Sequence, residues 1–201
     1  MGRERGSVFV NCPFDESYKP IFDAVAFGII ACSFRVRSAL EITDSGELRL
    51  EKIYRLIGGA THSVHDISRV ELDGDPGLPR FNMPIELGIA LGHKRFSGTK
   101  RPPRLLIMDS ERFRYQRFAS DLAGLDIAEH GNTPAGAIAR IRDFLACDVA
   151  DLPTSDVIVA YYETFEHALP EIAKSRKQSL AKLGFADRLN LAEAFVESLT
   201  E

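Results

Sequence analysis

The sequence contains little cysteine and no closely spaced cysteine pair of the kind that binds zinc or carries out redox chemistry. Its three cysteines, Cys12, Cys32 and Cys147, are an odd number and lie far apart in the chain. A disulfide framework or a zinc module is therefore not expected, and the pattern favours reduced thiols in the cytosol.

Long hydrophobic runs are also missing, and the N-terminal residues do not lead us to expect a secretory leader. Charged residues lie within residues 1–6, and the apolar run that follows is interrupted by Asn11, Pro13 and Asp15. The longest apolar stretch, residues 24–34, is too short to span a bilayer. We therefore expect a soluble, cytoplasmic protein with no membrane partner.

The sequence also has no excess of basic residues. The 201 residues carry 25 Lys and Arg against 29 Asp and Glu, a formal net charge of -4. Because nothing attracts the whole chain to phosphate backbones, duplex nucleic acid is a poor candidate partner and any phosphate recognition must be local. With 45% hydrophobic and 27% charged residues, the composition is that of an ordinary globular domain and excludes disorder and collagen-like repeats.

Strand and helix patterns alternate along the first three quarters of the chain. Strands are predicted at residues 7–11, 34–39, 61–67, 104–108 and 125–128, and helices at residues 18–32, 47–57, from 84 onward, and 134–145. This alternation predicts an α/β fold, namely a flavodoxin-like (Rossmannoid) parallel five-stranded sheet with helices on both faces. In the strand order 2-1-3-4-5, ligands bind at the carboxyl ends of strands 1 and 3.

Several finer features are predicted within this pattern. In the second helix Leu50, Ile53, Tyr54 and Ile57 should face inward, and Gly58-Gly59 should form its C-cap. The turn-rich residues 73–77 should form a loop after the third strand. The helix that follows should begin at Pro84, because proline suits the first helical position and disfavours helix in the residue before it.

The last quarter of the chain is predicted to be helical only. We expect an α/β domain at residues 1–150 and a helical appendage at residues 151–201, with a helix around 157–165, another at 170–183 stopped by Gly184, and a third at 189–199. The appendage is too small for a core of its own. It should therefore pack on the α/β body or form a homo-oligomer through its helices.

The most informative segment runs from Asn82 through Glu86 to Gly92. Glu86 is expected in the first turn of its helix, where the dipole favours a carboxylate, and the small residues Gly88, Ala90 and Gly92 would leave a shallow floor for a flat ligand. A carboxylate over such a floor can face a sugar. The alternative is that Glu86 only caps its helix.

The third strand is unusually polar for the centre of a parallel sheet. His62, Val64 and Asp66 should share one face, and Ser63, His65 and Ile67 the other. The segment that ends this strand offers a carboxylate, a hydroxyl and a guanidinium in Asp66, Ser68 and Arg69. These groups suit ribose hydroxyls and a phosphate. The alternatives are satisfied buried histidines, an exposed strand, or a weak metal site at His62-x-x-His65-Asp66.

The turn after the first strand supplies further polar groups. Asn11 and Asp15 can form hydrogen bonds, Phe14 can stack on a base, and Pro13 stiffens the loop. The same residues also make an ordinary turn. Nucleotide motifs with known mechanics are absent, since the sequence has neither a GxxxxGK[ST] phosphate loop nor a GxGxxG fingerprint.

The segments VNCPFDE, HDISR and NMPIELGIALG, in that order, resemble the TIR-like and nucleoside 2-deoxyribosyltransferase-like superfamily over residues 8–109. The resemblance implies a nucleotide pocket framed by these three segments. It also implies that Glu86 is the catalytic group at the bond between a ribose and a base, and that Asp66 contributes to the sugar site.

The expected function is therefore that of a nucleotide-processing enzyme that cleaves an N-glycosidic bond, in NAD or in a nucleoside or nucleotide, without a metal or other cofactor. Glu86 and Asp66 are the candidate catalytic residues. The candidate substrate-binding residues are Asn11, Pro13, Phe14, Asp15, Ser68, Arg69 and Asn82. The alternative is a non-catalytic nucleotide-binding sensor or a TIR-like self-association module that signals through the C-terminal helices.

Overall fold

A computed structural model describes residues 6–41, 44, 46–70, 72–73 and 77–199 of the chain. Its centre is a parallel sheet of five strands: β1 (Ser7–Asn11), β2 (Arg35–Ser38), β3 (His62–Asp66), β6 (Arg104–Asp109) and β7 (Ala128–Glu129). The strands lie in the order β2-β1-β3-β6-β7, which is the flavodoxin-like order predicted from the sequence. A separate antiparallel pair, β4 (Leu72–Asp73) and β5 (Leu78–Pro79), flanks the predicted 73–77 loop, of which residues 74–76 lie outside the described residues.

Six α-helices are found in the described part of the chain. They are α1 (Lys19–Ala31), α2 (Arg49–Gly59), α3 (Asn82–Phe96), α4 (Pro134–Ala146), α5 (Ser155–Ser175) and α6 (Phe185–Ser198). Val8 and Val10 of β1 pack with α1 and α4, whereas Phe9 packs with α2 and α3. Because β1 is covered on both faces, its apolar residues form a continuous run rather than an alternating one.

Helix α3 begins at Asn82, two residues before the predicted start at Pro84. Proline is tolerated there because the first backbone amides of a helix have no partner within it. The residue before the proline is held in the helix by two contacts. The Met83 side chain is buried, and its carbonyl oxygen accepts a hydrogen bond from Asn11 Nδ2 at 3.0 Å. Glu86 consequently lies in the second turn, and the prediction of a first-turn glutamate is wrong.

Helix α2 ends differently from the prediction. Gly58 and Gly59 are its last helical residues, and the cap residue Ala60 is extended, with φ −89° and ψ 143°. A left-handed glycine cap is therefore absent from this described helix end. Ile53 and Ile57 are buried as predicted, but Leu50 and Tyr54 are 46% and 44% exposed, so their predicted inward orientation is wrong.

The predicted fifth strand, at residues 125–128, is displaced toward its C-terminal end. In this segment, only Ala128–Glu129 pairs with β6. Leu125 is exposed, and the amide of Ile127 donates to the carbonyl of Leu125 within a local turn. The strand is short because this turn uses backbone groups that would otherwise extend the ladder.

The described C-terminal residues form two α-helices, joined through a short 3-10 helix at Leu180–Lys182, rather than the three α-helices predicted. Helix α5 continues through Pro170, and Gly184 is the N-cap of α6, so the predicted helix at 170–183 with Gly184 as its stop is wrong. Phe165, Leu169 and Ala173 are buried at one-turn intervals on both sides of the proline. Their packing keeps α5 continuous although Pro170 cannot donate a hydrogen bond to the carbonyl four residues earlier.

Helices α5 and α6 pack on the α/β body. The ring of Phe27 in α1 lies 5.4 Å from that of Phe165 and 6.3 Å from that of Phe195. Arg188 of α6 pairs with Asp23 of α1 at 3.0 Å. The C-terminal helices thus share one apolar core with the sheet. Within the described ranges, no helix is long and apolar enough to cross a membrane.

Candidate functional site

Asn11, at the carboxyl end of β1, joins β1, β3 and α3. Its Nδ2 donates to the Met83 carbonyl and to His65 Nδ1, both at 3.0 Å. Because His65 Nδ1 accepts this hydrogen bond, the proton lies on Nε2, which donates to Ser63 Oγ at 3.1 Å. Burial lowers the pKa of His65 to about 3, so the imidazole is neutral. The polar residues on this face of β3 therefore fix the start of α3.

Glu86 lies on α3 beside this junction and is only 8% exposed. Its nearest cation is Arg49 at the start of α2, whose Nη2 lies 3.9 Å from Glu86 Oε1. Burial raises the pKa of Glu86 to about 7, and the Arg49 charge opposes part of this rise. The first turn of α3 contains no acidic residue, so the alternative that Glu86 merely caps its helix is wrong.

The small residues near Glu86 divide between two surroundings. Ala90 is fully buried in the core under α2 and α3. A side chain added at Gly88 or Gly92 would meet no described atom within 4 Å. The predicted open floor therefore consists of the two glycines, without Ala90.

Asp66, at the carboxyl end of β3, is completely buried. Its Oδ2 accepts a hydrogen bond from Tyr18 Oη at 2.6 Å and lies 3.0 Å from His130 Nε2. Its Oδ1 accepts from the Ser68 amide at 2.8 Å. The carboxylate thus ties together the start of α1 and the turn after β3, and it lies against the loop after β7. This geometry favours a role in positioning these loops over direct contact with a ribose.

His130 and Tyr18 were not among the residues selected from the sequence. The amide of Asn132 donates to His130 Nδ1 at 3.2 Å, which leaves the proton on the Nε2 atom that faces Asp66. Burial and the Asp66 charge raise the pKa of Tyr18 well above its ordinary value, so the phenol stays protonated as a donor. His130 directly follows β7 and lies two residues after the end of the predicted fifth strand, which is the one sequence signal that could have placed it at this edge.

The turn after β1 presents one aromatic face to solvent. Pro13 is buried, and Phe14 is 40% exposed, with its ring 5.5 Å from that of Phe22. The carboxylate of Asp15 pairs with Arg80, while the Asp15 carbonyl accepts hydrogen bonds from the amides at the start of α1. Of these residues, Phe14 has the exposure that a stacking surface needs.

Ser68, Arg69 and Asn82 complete the predicted set. Among the described residues, Ser68 Oγ and Arg69 Nε are buried atoms without a hydrogen-bond partner. Asn82 is exposed as the first residue of α3. The turn after β3 therefore carries two unpartnered polar groups at the edge where flavodoxin-like sheets bind ligands.

Cys12 is close enough to both candidate carboxylates for their charges to act on its thiol. It is 3% exposed, and burial together with the charges of Asp66 and Glu86 raises the pKa of its thiol well above the ordinary value. Both carboxylates therefore act on one buried atom at the end of β1, although Asp66 faces α1 and Glu86 lies on α3. A buried, protonated thiol of this kind is a poor nucleophile.

The metal alternative does not fit the described residues. His62 Nε2 contacts Asp148 at 2.8 Å, whereas His65 contacts Asn11 and Ser63 on the opposite face of β3. Within the described ranges, no group of three His, Cys, Asp or Glu side chains that could hold a metal ion is found.

In comparisons with known proteins, no family model and no curated protein matches the sequence significantly.

Proposed function

We propose that the protein is an enzyme that cleaves the N-glycosidic bond of NAD or of another nucleotide or nucleoside, with Glu86 as the catalytic group. The observation that carries this proposal is the state of Glu86. It is nearly buried at the carboxyl edge of the sheet, and its pKa is raised to about 7. A carboxyl group tuned close to neutral pH is more typical of catalytic sites than of structural ones.

The chemistry requires few groups. The bond between C1′ of the ribose and the base nitrogen breaks, and the base leaves with the electron pair. The positive charge that develops on the sugar is stabilised by the Glu86 carboxylate. Water then attacks C1′ and loses a proton, which goes to solvent when nicotinamide leaves NAD and to the base nitrogen when a nucleoside or nucleotide is cleaved. The products are the free base and the ribose hydroxyl. Nicotinamide leaves NAD as a neutral molecule, and a strong general acid is therefore not needed.

The remaining residues have supporting roles in this proposal. Phe14 stacks against the base, and Asn11 positions α3 through the Met83 carbonyl. Asp66 holds the turn after β3 through the Ser68 amide and thereby acts on the sugar site indirectly. Pro13 and Asp15 shape the loop that carries Phe14. Asn82, the first residue of α3, is exposed to solvent. The resemblance of VNCPFDE, HDISR and NMPIELGIALG to the TIR-like and deoxyribosyltransferase-like superfamily supports the same assignment of Glu86.

A second candidate function is nucleotide binding without turnover, in a sensor or self-association module. The observation that favours it is the contact of Glu86 with Arg49 in a nearly enclosed position. A binding module tolerates such an enclosed carboxylate, whereas an enzyme must open it to the substrate. In this second candidate, the signal would pass to α5 and α6 through their contacts with α1.

Incubation of the full chain with NAD and a panel of nucleosides and nucleotides, followed by chromatography of released bases, tests the proposal. We expect Glu86→Gln to slow base release by roughly two to four powers of ten while nucleotide affinity changes little. Glu163→Gln, on the exposed side of α5, is the matched control and should leave the rate unchanged. Full activity of Glu86→Gln would contradict the catalytic assignment. Binding without base release by the unmodified chain would favour the second candidate.

A further inference from the structure

The turn after β3 contains two adjacent side chains that each have one buried polar atom without a hydrogen-bond partner among the described residues. Ser68 is 3% exposed, and its Oγ has no hydrogen-bond partner among the described residues. The same holds for Nε of Arg69. Folded proteins rarely leave buried donors unpaired, because each has lost its hydrogen bonds to water without replacement. Two such groups side by side call for a ligand that supplies acceptors.

The acidic groups near this turn have partners of their own, except that Oδ2 of Asp109 is buried without a hydrogen-bond partner among the described residues. Asp66 accepts from Tyr18 and from the Ser68 amide, Asp15 pairs with Arg80, and Asp109 Oδ1 pairs with Arg114 at 2.7 Å. Within the part of the chain that the structure describes, Arg69 forms no ion pair. Its charge nevertheless reaches the β1–α1 turn, because it lowers the pKa of Tyr18 against the stronger effect of burial.

We propose that Ser68 Oγ and the Arg69 guanidinium form a subsite for a phosphate group, so that the ligand of this edge is a nucleotide rather than a nucleoside. A hydroxyl and a guanidinium both donate to the tetrahedral oxygens of a phosphate, and the planar fork of arginine suits two of them at once. The inference that the ligand contains a nucleoside rests on the proposed function. The inference that it contains a phosphate rests on the two unpartnered donors alone.

Calorimetric titration of the full chain with adenosine monophosphate, adenosine and inorganic phosphate tests this subsite. A guanidinium–phosphate contact predicts that the unmodified chain binds adenosine monophosphate at least about tenfold more tightly than adenosine. Arg69→Gln should reduce this preference to less than about threefold, and Arg69→Lys should give an intermediate value because it keeps the charge but loses the fork. Ser68→Ala should weaken adenosine monophosphate binding by roughly three- to tenfold without changing adenosine binding.

The control is Arg95→Gln at the exposed C-terminal end of α3, which should leave all three affinities unchanged. Thermal unfolding of each variant verifies that the chain is folded. Equal affinity for the nucleotide and the nucleoside, a preference that survives Arg69→Gln, or absence of binding by all three probes would overturn the subsite. Inorganic phosphate that binds as tightly as adenosine monophosphate would overturn the nucleotide assignment, because the site would then recognise a free anion.

These results are separable from those of the proposed function. A phosphate preference that depends on Arg69, found together with no base release from any substrate, would support the subsite while the glycosidase proposal fails. Base release that depends on Glu86 but proceeds equally from nucleosides and nucleotides, with Arg69→Gln unaffected, would leave the glycosidase proposal standing while the subsite fails.

Discussion

Burial makes the ionised form of Glu86 unfavourable in the folded protein. Its carboxylate has lost most of its water, and the single described cation near it, Arg49, is 63% exposed at its side chain and so compensates only in part. The raised pKa follows from this imbalance. The raised pKa should affect the pH dependence of both the reaction rate and the stability.

The pH dependence of base release should report the ionisation of Glu86. Because the proposed role needs the carboxylate form, kcat/KM should rise with pH and level off above an apparent pKa near 7. Arg49→Gln removes the charge that favours ionisation, so the rising limb should move to higher pH. Activity at pH 7 should then fall by several-fold and largely recover at pH 9. A limb that stays in place in Arg49→Gln, or activity that falls as pH rises, would contradict this role.

The same group should make the fold less stable at alkaline pH. The folded pKa of about 7 lies above the ordinary value of 4.5, so the folded state binds the proton more tightly and stability falls as pH rises between these values. Ionisation of Glu86 therefore lowers the free energy of unfolding by about 3 kcal/mol above pH 7, and this loss vanishes below pH 4.5. Glu86→Gln should therefore gain about 1 to 3 kcal/mol over the unmodified chain at pH 8 and little at pH 4.5.

Denaturant unfolding of Glu86→Gln, Glu163→Gln and the unmodified chain at both pH values measures this difference. The exposed Glu163 serves as the control and should show no such dependence. An equal effect of Glu86→Gln on the free energy of unfolding at the two pH values would show that burial does not disfavour the ionised carboxylate.

At the scale of elements, the sequence predicted the sheet and its helices but not every helix boundary. The apolar run of β1 and the helical spacing of α1 are local signals, and both elements formed where they were expected. The start of α3 was missed because it depends on a contact between Asn11 and Met83, 72 residues apart. The Tyr18–Asp66–His130 cluster was missed for the same reason, since its members meet only once the loops converge.

Helix α5 shows the opposite case, in which packing overrides a local signal. Pro170 reads as a helix start in the sequence, yet the buried residues Phe165, Leu169 and Ala173 continue one face through it. Their burial stabilises the helix by more than the missing hydrogen bond costs.

Pro170→Ala should stabilise the protein, because alanine restores a donor to the Glu166 carbonyl and removes the clash with the preceding turn. The proline is exposed, so no packing is lost, and we expect a gain of about 1 to 3 kcal/mol in the free energy of unfolding. Pro20→Ala, in the first turn of α1, is the matched control. It gains no intrahelical hydrogen bond and should be neutral or slightly destabilising. Equal effects of the two substitutions would contradict this account of α5.

For the molecule as a whole, the C-terminal helices complete the outer layer of the α1 face. Phe27 of α1 contacts aromatic rings from both α5 and α6, and Arg188 links α6 to Asp23 of α1 and Glu166 of α5. Because the inner faces of these helices are buried against the body, self-association through them would have to use their outer faces. Val157 and Leu199 are 38% and 40% exposed there.

Removal of residues 151–201 should therefore expose a large apolar face on α1 and α4. We expect the 1–150 chain to aggregate or to unfold at a lower temperature than the full chain, measured by light scattering on a sizing column and by thermal unfolding. In the full chain, Phe165→Ala should cost about 3 to 5 kcal/mol because its ring is buried in this core. Phe96→Ala, at a ring that is 82% exposed, should cost less than about 0.5 kcal/mol. A soluble 1–150 chain with unchanged melting would show that the helices are an accessory layer. A full chain that is dimeric, with a monomeric 1–150 chain, would instead support self-association through them.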